Sequence, residues 1–399
     1  MKLPSYVQTA INLLESSGYS CYVVGGAVRD YLLGKTPNDF DLSTSATPEE
    51  MKRVFKDFFT IDTGLKHGTI SVMIDHKLVE ITTYRYEDDY ADFRRPNAVH
   101  FIKTIEEDLA RRDFTINSIA YNNDFVDIND GKKDLENGVI RAIGNPKKRF
   151  MEDPLRILRG LRFASTLNFK IEEETKNEIL NNFYLIDKVA KERINSEFSK
   201  LLLGDNASTI IKDYKEYIQN YVLNTIIEEL SILALSILEK DIEIRLASLL
   251  SNLETEVANN VLIDLKYPKK IINKVIKIIA NLDVLIIAEK KSILETLKNI
   301  DYNILGSVIK IKKAKLISQD SNLDEIIKIE EVFKSLENKY IRLKDLKING
   351  NDLKKIGFKE GKQIKVILDL LVDDCINGLT NDYDVLIKRA KYYLDRNKN

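Results

Sequence analysis

The spacing of apolar residues along the chain changes near residue 145. Before that point, short apolar or alternating runs such as CYVV, DFDLSTS, GTISVMID and KLVEITTYR predict strands, and the turn Asp75-His76-Lys77 makes the sheet at least partly antiparallel. After it, apolar residues recur every three or four positions while Pro and Gly become sparse, which predicts helices almost throughout residues 146–399. The pattern therefore predicts an α+β chain, with a mixed N-terminal part and an all-α remainder.

Composition narrows the class of protein. The 399 residues are 44% hydrophobic and 31% charged, as in a soluble globular protein, and the net charge of −1 excludes a uniformly basic nucleic-acid coat protein. The two cysteines, Cys21 and Cys375, lie far apart, which argues against a disulfide scaffold or a Cys-based zinc site and predicts a reducing cytoplasm. No run of 18 apolar residues exists, so we expect no membrane span.

Positive charge is concentrated in two segments. Residues 141–170 carry eight Lys or Arg against two Asp or Glu, and residues 341–365 carry eight against three. In a chain with almost no net charge, these segments are the best candidates for contact with a polyanion. The alternative is that the basic side chains only solvate helix faces.

A double glycine follows the first apolar strand. Gly25 and Gly26 let a backbone approach a phosphate closely, and the helix that starts there offers free N–H groups to an anion. Arg29, one turn into that helix, is placed to pair with a phosphate. Double-glycine turns are common, so this feature alone does not establish a nucleotide site.

Two carboxylates follow within fifteen residues of the double glycine. If DFDLSTS is a strand, Asp39 and Asp41 share one face while Phe40 and Leu42 are buried on the other. Carboxylates that close repel each other unless a divalent cation bridges them, and Mg²⁺ in such a place activates phosphoryl transfer. The alternative is a solvated Asp-x-Asp turn.

Two further polar positions are candidates for the same site. Glu80 is an acid within the strand LVEITTY, either a third catalytic carboxylate or an edge-strand charge that faces water. Arg112 belongs to the motif RRDFTIN. Either Asp113 holds it in position to bind a phosphate or sugar of a nucleotide, or the two residues form a weak surface ion pair.

The segment EDPLRILRGLR (152–162) carries the most regular charge pattern. Its charged positions step by three on one predicted helix surface, and they are Asp153, Arg156, Arg159 and Arg162. An Asp beside an Arg offers an acceptor next to a donor, which complements the pairing edges of cytosine and adenine but not those of uracil and guanine. One Asp153/Arg156 pair would accept CTP and ATP and leave buried groups unpaired with UTP or GTP. The alternative is a helix that docks on the sheet by salt bridges.

The motifs resemble those of a known family when they are taken together. GGAVRD, DFD, RRDFTIN, EDPLRILRGLRF and ERINSEF (192–198), in this order and spacing, are similar to those of the class II tRNA nucleotidyltransferases, the CCA-adding enzymes and their bacterial poly(A) polymerase relatives. The resemblance implies a polymerase-β-like nucleotidyltransferase head with a mixed, largely antiparallel sheet, followed by all-α neck, body and tail. The implied bounds are 1–145 for the head, 146–205 for the neck with its nucleotide-selecting motif, 206–335 for the body, and 336–399 for a tRNA-binding tail.

The resemblance also implies residue roles. Asp39 and Asp41 would hold the catalytic Mg²⁺, and Gly26 and Arg29 would contact the triphosphate. The nucleotide pocket would comprise Arg112, Asp153, Arg156, Arg159 and Arg162, with Asp153 and Arg156 as a template made of protein. The resemblance gives less support to a catalytic role for Glu80 than to the roles of the other residues.

The implied reaction adds C, C and A to the 3′ end of tRNA from CTP and ATP, without a nucleic-acid template, and releases pyrophosphate. The partners would be tRNA, CTP and ATP, with no membrane and no stable protein partner, in the cytoplasm. A polar segment at 86–96 occupies the place of a flexible loop that CC-adding relatives lack, which favours a CCA-adding or an A-adding enzyme. Poly(A) polymerase and a non-catalytic RNA-binding protein remain alternatives, and the intact Asp39/Asp41 pair argues against the latter.

Overall fold

The computed structural model describes residues 1–62, 64, 68–87 and 99–396, with only the backbone at 87 and 99. The predicted loop at 86–96 therefore lies outside the described residues from position 88 onward. The chain divides into two compact units, Met1–Ile226 and Ile227–Asn399. The finer division into head, neck, body and tail stays a prediction.

The N-terminal unit contains the strands and about half of the helices. Its strands are β1 (Cys21–Val24), β2 (Asp41–Thr44), β3 (Thr60–Ile61), β4 (Thr69–Ile74), β5 (Lys77–Thr83), β6 (Arg85–Glu87), β7 (Val99–Phe101), β8 (Ile119–Asn122), β9 (Asp124–Asp127), β10 (Val139–Ile140) and β11 (Lys170–Ile171). Its helices are α1 (Ser5–Ser16), α2 (Gly26–Leu32), α3 (Pro48–Val54), α4 (Ile105–Ala110), α5 (Gly131–Asn137), α6 (Pro146–Glu152), α7 (Leu155–Leu167), α8 (Glu173–Asn182), α9 (Lys191–Leu202), α10 (Ala207–Asp213) and α11 (Lys215–Tyr217).

The central sheet of the described residues has the strand order β3-β4-β5-β2-β1-β8-β9. Strands β2 and β5 pair in parallel, and the other neighbours in this sheet pair antiparallel. The predicted α+β class with a mixed, largely antiparallel sheet is thus confirmed. Because β2 and β5 are interior strands, their backbone groups are paired and their side chains are held at fixed register.

The two faces of the sheet differ in how they are covered. The buried stripe of α1, which includes Val7, Ile11 and Leu14, packs against β1, β4 and β5. A second cluster, in which Val24 packs with residues of α4, covers the opposite face near β1 and β8. On this second face, the β2–β5 part carries polar side chains and borders a cavity.

The region predicted to be helical contains one exception. Helix α7 ends at Asn168, which takes a left-handed conformation (φ 56°, ψ 42°) and turns the chain back. The next residues form β11, and the N–H of Lys170 donates to the carbonyl of Gly138 at 2.8 Å. The prediction of helix almost throughout 146–399 did not include this strand, because a pairing partner distant in sequence decides the conformation at 170–171.

The C-terminal unit is helical in its described residues, as predicted. Its helices are α12 (Glu229–Leu233), α13 (Ile242–Leu249), α14 (Thr255–Asp264), α15 (Lys269–Ile279), α16 (Lys290–Asn299), α17 (Tyr302–Ser318), α18 (Asp324–Ser335), α19 (Gly350–Lys355), α20 (Lys362–Ile376) and α21 (Tyr383–Arg396). Buried apolar residues of α19, α20 and α21 form one core, in which Leu353, Leu371 and Leu386 are fully buried. Among the described residues, no helix is both long and apolar enough to cross a membrane.

Candidate active site

The double glycine forms the turn between β1 and α2. Gly25 has φ +69°, a conformation that residues with a side chain rarely adopt, and α2 begins at Gly26. A Cβ on Gly25 would lie 3.4 Å from Nη1 of Arg112. The first glycine therefore lets the backbone turn, and it also leaves room for an arginine of the site.

Three carboxylates lie beside this turn. Asp41 is the first residue of β2, and its register partners are Val24 on β1 and Glu80 on β5. Register partners point to the same side of a sheet, so Asp41 and Glu80 share the face that borders the cavity. The prediction that Asp39 and Asp41 share a strand was wrong, because β2 starts only at Asp41 and Asp39 precedes it in a non-strand segment.

The pKa of Asp41 reflects the charges of the carboxylates near it. Burial, then the charges of Glu80 and Asp39, raise the pKa of Asp41, and Arg112 opposes them in part. Negative charges close to the Asp41 carboxylate favour a cation there. Glu80 lies on an interior strand, so it is not an edge-strand charge, but its side chain is exposed, as that alternative predicted.

These carboxylates fit a divalent metal ion. Oxygen ligands from two or three carboxylates are what Mg²⁺ takes in phosphate-handling sites, where substrate and water complete the coordination. Among the described residues, no group of three Asp, Glu, His or Cys side chains is close enough to form a complete metal site by itself.

Arg29 is held rigidly at the start of α2. Its Nε and Nη2 reach Oδ1 of Asp30 at 2.9 and 2.8 Å, and its Nη1 donates to Oδ1 of Asn117 at 2.8 Å. The guanidinium carbon also lies 5.3 Å from the ring centre of Phe163. Fixing a guanidinium in advance reduces the entropy lost when it binds a phosphate.

Arg112 is held by a buried acid. Asp108 is 0% exposed and accepts hydrogen bonds from Arg112 Nη2 at 3.0 Å and from Arg111 Nη2 at 2.7 Å. Burial alone would raise the pKa of Asp108, but the two arginines outweigh it and hold that pKa below its ordinary value. The expectation that Asp113 holds Arg112 was wrong. Asp108 lies one helical turn before Arg112, and Asp113 points to a different arginine.

Asp113 binds the arginines of α7. Its Oδ2 accepts from Arg159 Nε at 2.6 Å, and its Oδ1 accepts from the N–H of Phe114 at 2.8 Å. Burial opposes ionisation, but Arg159 and Arg156 outweigh it and lower the pKa of Asp113 to about 2. Asp113 is therefore ionised at neutral pH and accepts hydrogen bonds without donating them.

The remaining arginines of α7 have acidic partners too. Glu197 of α9 lies 2.8 Å from Nε of Arg162, and Glu152 accepts from Nη1 of Arg156 at 2.6 Å. Burial lowers the pKa of Arg162 to about 10, well above neutral pH. Arg156 is 9% exposed, so its guanidinium is placed by the protein rather than by solvent.

Asp153 lies outside the helix that carries the arginines. It ends α6 in an extended conformation (φ −144°, ψ 100°), and α7 begins only at Leu155. The expectation that Asp153 continues the arginine stripe on one helix was therefore wrong. Both oxygens of its carboxylate accept from Arg193 of α9, at 3.2 and 2.8 Å, which fixes its orientation in a bidentate pair.

The structure brings every predicted site residue to one cavity of about 960 Å³. The carboxylates lie with the β2–β5 part of the sheet and the arginines with α2, α7 and the segment before β8. The predicted residues that line the cavity are Gly26, Arg29, Asp39, Asp41, Glu80, Arg112, Asp153, Arg156, Arg159 and Arg162. Nε of Arg112 is buried without a hydrogen-bond partner among the described residues, which suits a site that receives a polar ligand.

Several residues of the site were missed from the sequence. Asp108, Asn117, Arg193 and Glu197 fix the arginines or Asp153, and none of them was assigned a role. Three of these lie in the motif runs RRDFTIN and ERINSEF, so the motifs contained the signal. Asn117, Arg193 and Glu197 act through contacts between elements that are far apart in sequence, and one sequence alone does not give those contacts.

Family models match most of the chain. Residues 21–141 match the "Poly A polymerase head domain", and residues 168–218 match the "Probable RNA and SrmB- binding site of polymerase A". Residues 239–390 match the "tRNA nucleotidyltransferase domain 2 putative". The first match covers the sheet and the carboxylates, and the third lies within the C-terminal unit.

Whole proteins are similar over nearly the full length. The chain is 38% identical to the CCA-adding enzyme of Ligilactobacillus salivarius, over 98% of each chain. It is 35% identical to the CCA-adding enzyme of Leuconostoc mesenteroides, over 97% of this chain and 96% of the other. The crystal structure of the Bacillus stearothermophilus CCA-adding enzyme in complex with CTP aligns with a TM-score of 0.80 at 29% identity, covering 99% of this chain and 100% of that one.

Proposed function

The chain belongs to the family of CCA-adding enzymes, which are tRNA nucleotidyltransferases, and from this premise we propose that it adds C, C and A to the 3′ end of tRNA from CTP and ATP. The observation that carries the proposal is the single cavity in which the carboxylates of the sheet and the arginines of α7 meet. The match of residues 239–390 to a tRNA nucleotidyltransferase model favours this function over a general poly(A) polymerase.

We assign the metal to the carboxylate end of the cavity. The family depends in general on a divalent metal, and Asp39 and Asp41 would hold Mg²⁺, with Glu80 as the third carboxylate beside them. When bound, Mg²⁺ lowers the pKa of the attacking hydroxyl and neutralises charge on the phosphate oxygens. The feature of this chain that supports the assignment is the register of Asp41 with Glu80 on one face of the sheet, where burial and then the charge of Glu80 raise the pKa of Asp41.

The triphosphate lies between the carboxylates and the arginines in this account. Gly26 allows the close approach of the phosphate oxygens, and Arg29 and Arg112 bind them from fixed positions. The 3′-hydroxyl of tRNA attacks the α-phosphate in line, and pyrophosphate leaves. Asp108 contributes by holding Arg112 in place, since both of its oxygens are occupied by arginines.

Base selection is assigned to the other end of the cavity. Asp153 accepts from the exocyclic amine of cytosine or adenine, and Arg156 donates to the adjacent ring nitrogen. Arg159 and Arg162 complete the pocket. The contacts of these two residues support this assignment. Arg193 holds Asp153 in one orientation and Glu152 does the same for Arg156, so the hydrogen-bonding pattern that they present to a base is specific.

The partner of the reaction is tRNA, and the place of the reaction is the cytoplasm. We propose that the helical region recognises the shape and backbone of the acceptor half, with the tail at 336–399. Cys21 and Cys375 are both free thiols, which is consistent with a reducing compartment.

The product-sequence assay tests this function. Purified protein is incubated with tRNA that lacks CCA and with each labelled nucleotide in turn, and the 3′ ends are sequenced. Addition of C, C and then A is expected. Absence of C incorporation would refute CCA addition, A alone on a CC end would indicate an A-adding enzyme, and long A tracts would indicate a poly(A) polymerase.

A variant distinguishes catalysis from RNA binding. Asp41→Ala should bind tRNA as the wild type does but should add no nucleotide, with turnover lower by about a thousandfold or more. A wild type that binds tRNA and adds nothing would favour a non-catalytic role instead.

A further inference from the structure

Asn117 lies between the two ends of the nucleotide cavity. It ends the short 3₁₀ turn Thr115–Asn117, lines the cavity and is 7% exposed. Its Oδ1 accepts from Nη1 of Arg29 at 2.8 Å, and its Nδ2 donates to Oδ1 of Asp113 at 3.5 Å. One side chain therefore contacts both the phosphate-side arginine and the acid that holds the base-side arginine.

The two neighbours determine which group can occupy this position. Arginine only donates hydrogen bonds, and ionised Asp113 only accepts them. A primary amide is a neutral group of this size that presents an acceptor to one and a donor to the other. The same logic fixes the orientation of the amide, with its oxygen toward Arg29 and its nitrogen toward Asp113.

The contacts continue on both sides. Asp30 holds the other face of Arg29, at 2.8 Å, and Asp113 holds Arg159 at 2.6 Å. The ring of Phe163 is close to both arginines, with its centre 5.3 Å from the guanidinium carbon of Arg29 and 5.5 Å from that of Arg159. The path Arg29–Asn117–Asp113–Arg159 thus runs beside a buried ring, where small displacements are opposed by packing.

Resting on the proposed function, we propose that Asn117 is a positioning residue that couples triphosphate binding to base selection. A triphosphate that binds Arg29 fixes the position of Asn117, and through it the positions of Asp113 and Arg159. The base pocket is then in its selective arrangement when the triphosphate is bound. Asp30 pairs with the same arginine, and among the hydrogen bonds of the described residues none joins it to Asp113, so it offers a matched comparison at the triphosphate end.

Equilibrium binding of CTP and UTP tests the coupling. The dissociation constants are measured by calorimetry for the full chain with Mg²⁺ and without tRNA, so that no transfer takes place. Asn117→Leu and Asp30→Asn should each weaken CTP binding, by about tenfold, because the first removes a hydrogen bond to Arg29 and the second removes the negative charge that pairs with Arg29. Only Asn117→Leu should also narrow the preference for CTP over UTP, by about threefold or more.

Two more variants keep the test decisive. Asn117→Asp retains the acceptor for Arg29 but sets a carboxylate against Asp113, so it should narrow the base preference with a smaller loss of CTP affinity than Asn117→Leu. Asn182→Leu removes another buried amide, far along the chain in α8, and should change melting temperature without changing the CTP-to-UTP ratio. A ratio unchanged in both Asn117 variants, or narrowed equally by Asp30→Asn, would overturn the inference.

The binding ratio separates this inference from the proposed function. A wild type that adds C, C and A while both Asn117 variants keep its ratio refutes the coupling alone. A wild type that binds CTP in preference to UTP but adds nothing to tRNA refutes the function, and the ratio in the variants still decides whether Asn117 couples the two ends.

Discussion

Individual acidic side chains fix the positions of the arginines in this site. Asp108, Asp113, Asp153 and Glu197 each hold an arginine in the cavity wall. Arginines in a cavity would repel one another if they were unpaired, and paired arginines keep a fixed position in which to bind an anion. These arginines therefore have acidic partners before substrate arrives, which reduces the entropy that they lose on binding it.

Asp113 should contribute stability that depends on pH. Its folded pKa of about 2 lies below the ordinary value, so its contribution is fully present above about pH 5 and is lost as pH falls toward 2. Asp113→Asn should lower the free energy of unfolding by about 2 kcal/mol at pH 7, with about half of this difference left at pH 3. Urea unfolding at both pH values measures it.

Asp57→Asn serves as the control for this prediction, since Asp57 is exposed. A difference between Asp113→Asn and wild type that stays constant from pH 7 to pH 3 would contradict the ion-pair explanation.

Arg156 should control which base is accepted. Arg156→Ala should relax the preference for C and A over U and G by about tenfold or more, because the mismatch penalty disappears with the donor. It should lower triphosphate affinity much less, since Arg29 and Arg112 remain. Single-nucleotide incorporation with each NTP measures both effects, and an unchanged base preference would count against the protein template.

Sequence patterns predicted the site residues better than their contacts. Each predicted residue lines the cavity. The patterns succeeded here because the chemistry of such a site limits the types of side chain that occur together near a glycine turn. The acid that holds Arg112 was predicted wrongly. Adjacency in sequence suggested Asp113, whereas the helix geometry of α4 places Asp108 beside Arg112. The start of β2 was also placed two residues early, since alternation alone does not show where sheet pairing begins.

At the scale of elements, close packing of α7 against the end of α9 supports the arginine side of the cavity. A Cβ on Gly204, just after α9, would lie 2.1 Å from Oγ and 2.6 Å from the carbonyl carbon of Ser165 in α7. That hydroxyl already donates to the carbonyl of Leu201. The two helices approach this closely only because residue 204 has no side chain.

Gly204→Ala should therefore destabilise the protein by about 3 kcal/mol, since the clash involves backbone atoms that cannot move independently. Gly306→Ala in α17 is the matched control. Its Cβ would meet only the ring of Phe333, at 3.3 Å, and its gain in helix propensity of about 1 kcal/mol offsets that contact. Calorimetric melting of both variants measures this, and equal melting temperatures would contradict the packing argument.

At the scale of the whole molecule, the two basic segments have different environments. In residues 141–170 the arginines at 156, 159 and 162 line the cavity, whereas Lys147, Lys148 and Lys170 are exposed. In residues 341–365, Lys359, Lys362 and Lys365 are exposed around the start of α20. Because the three arginines line the cavity, we propose that the first segment serves mainly the nucleotide and that the second is the better candidate for tRNA.

Binding of tRNA should weaken steeply with salt. Replacing Lys359, Lys362 and Lys365 by Ala should reduce the slope of log K against log salt by about one for each phosphate contact that is lost. Filter binding from low to physiological salt measures the slope. Replacing the lysines at 290 and 291 gives the control, and a slope equal to that of wild type in the triple variant would remove the second segment from the tRNA interface.

A crystal structure with CTP and Mg²⁺ tests the central claim most directly. The account predicts that the metal contacts Asp39 and Asp41, and that the pairing edge of cytosine meets Asp153 and Arg156. A triphosphate bound away from the two aspartates, or a cytosine edge that neither Asp153 nor Arg156 touches, would contradict it.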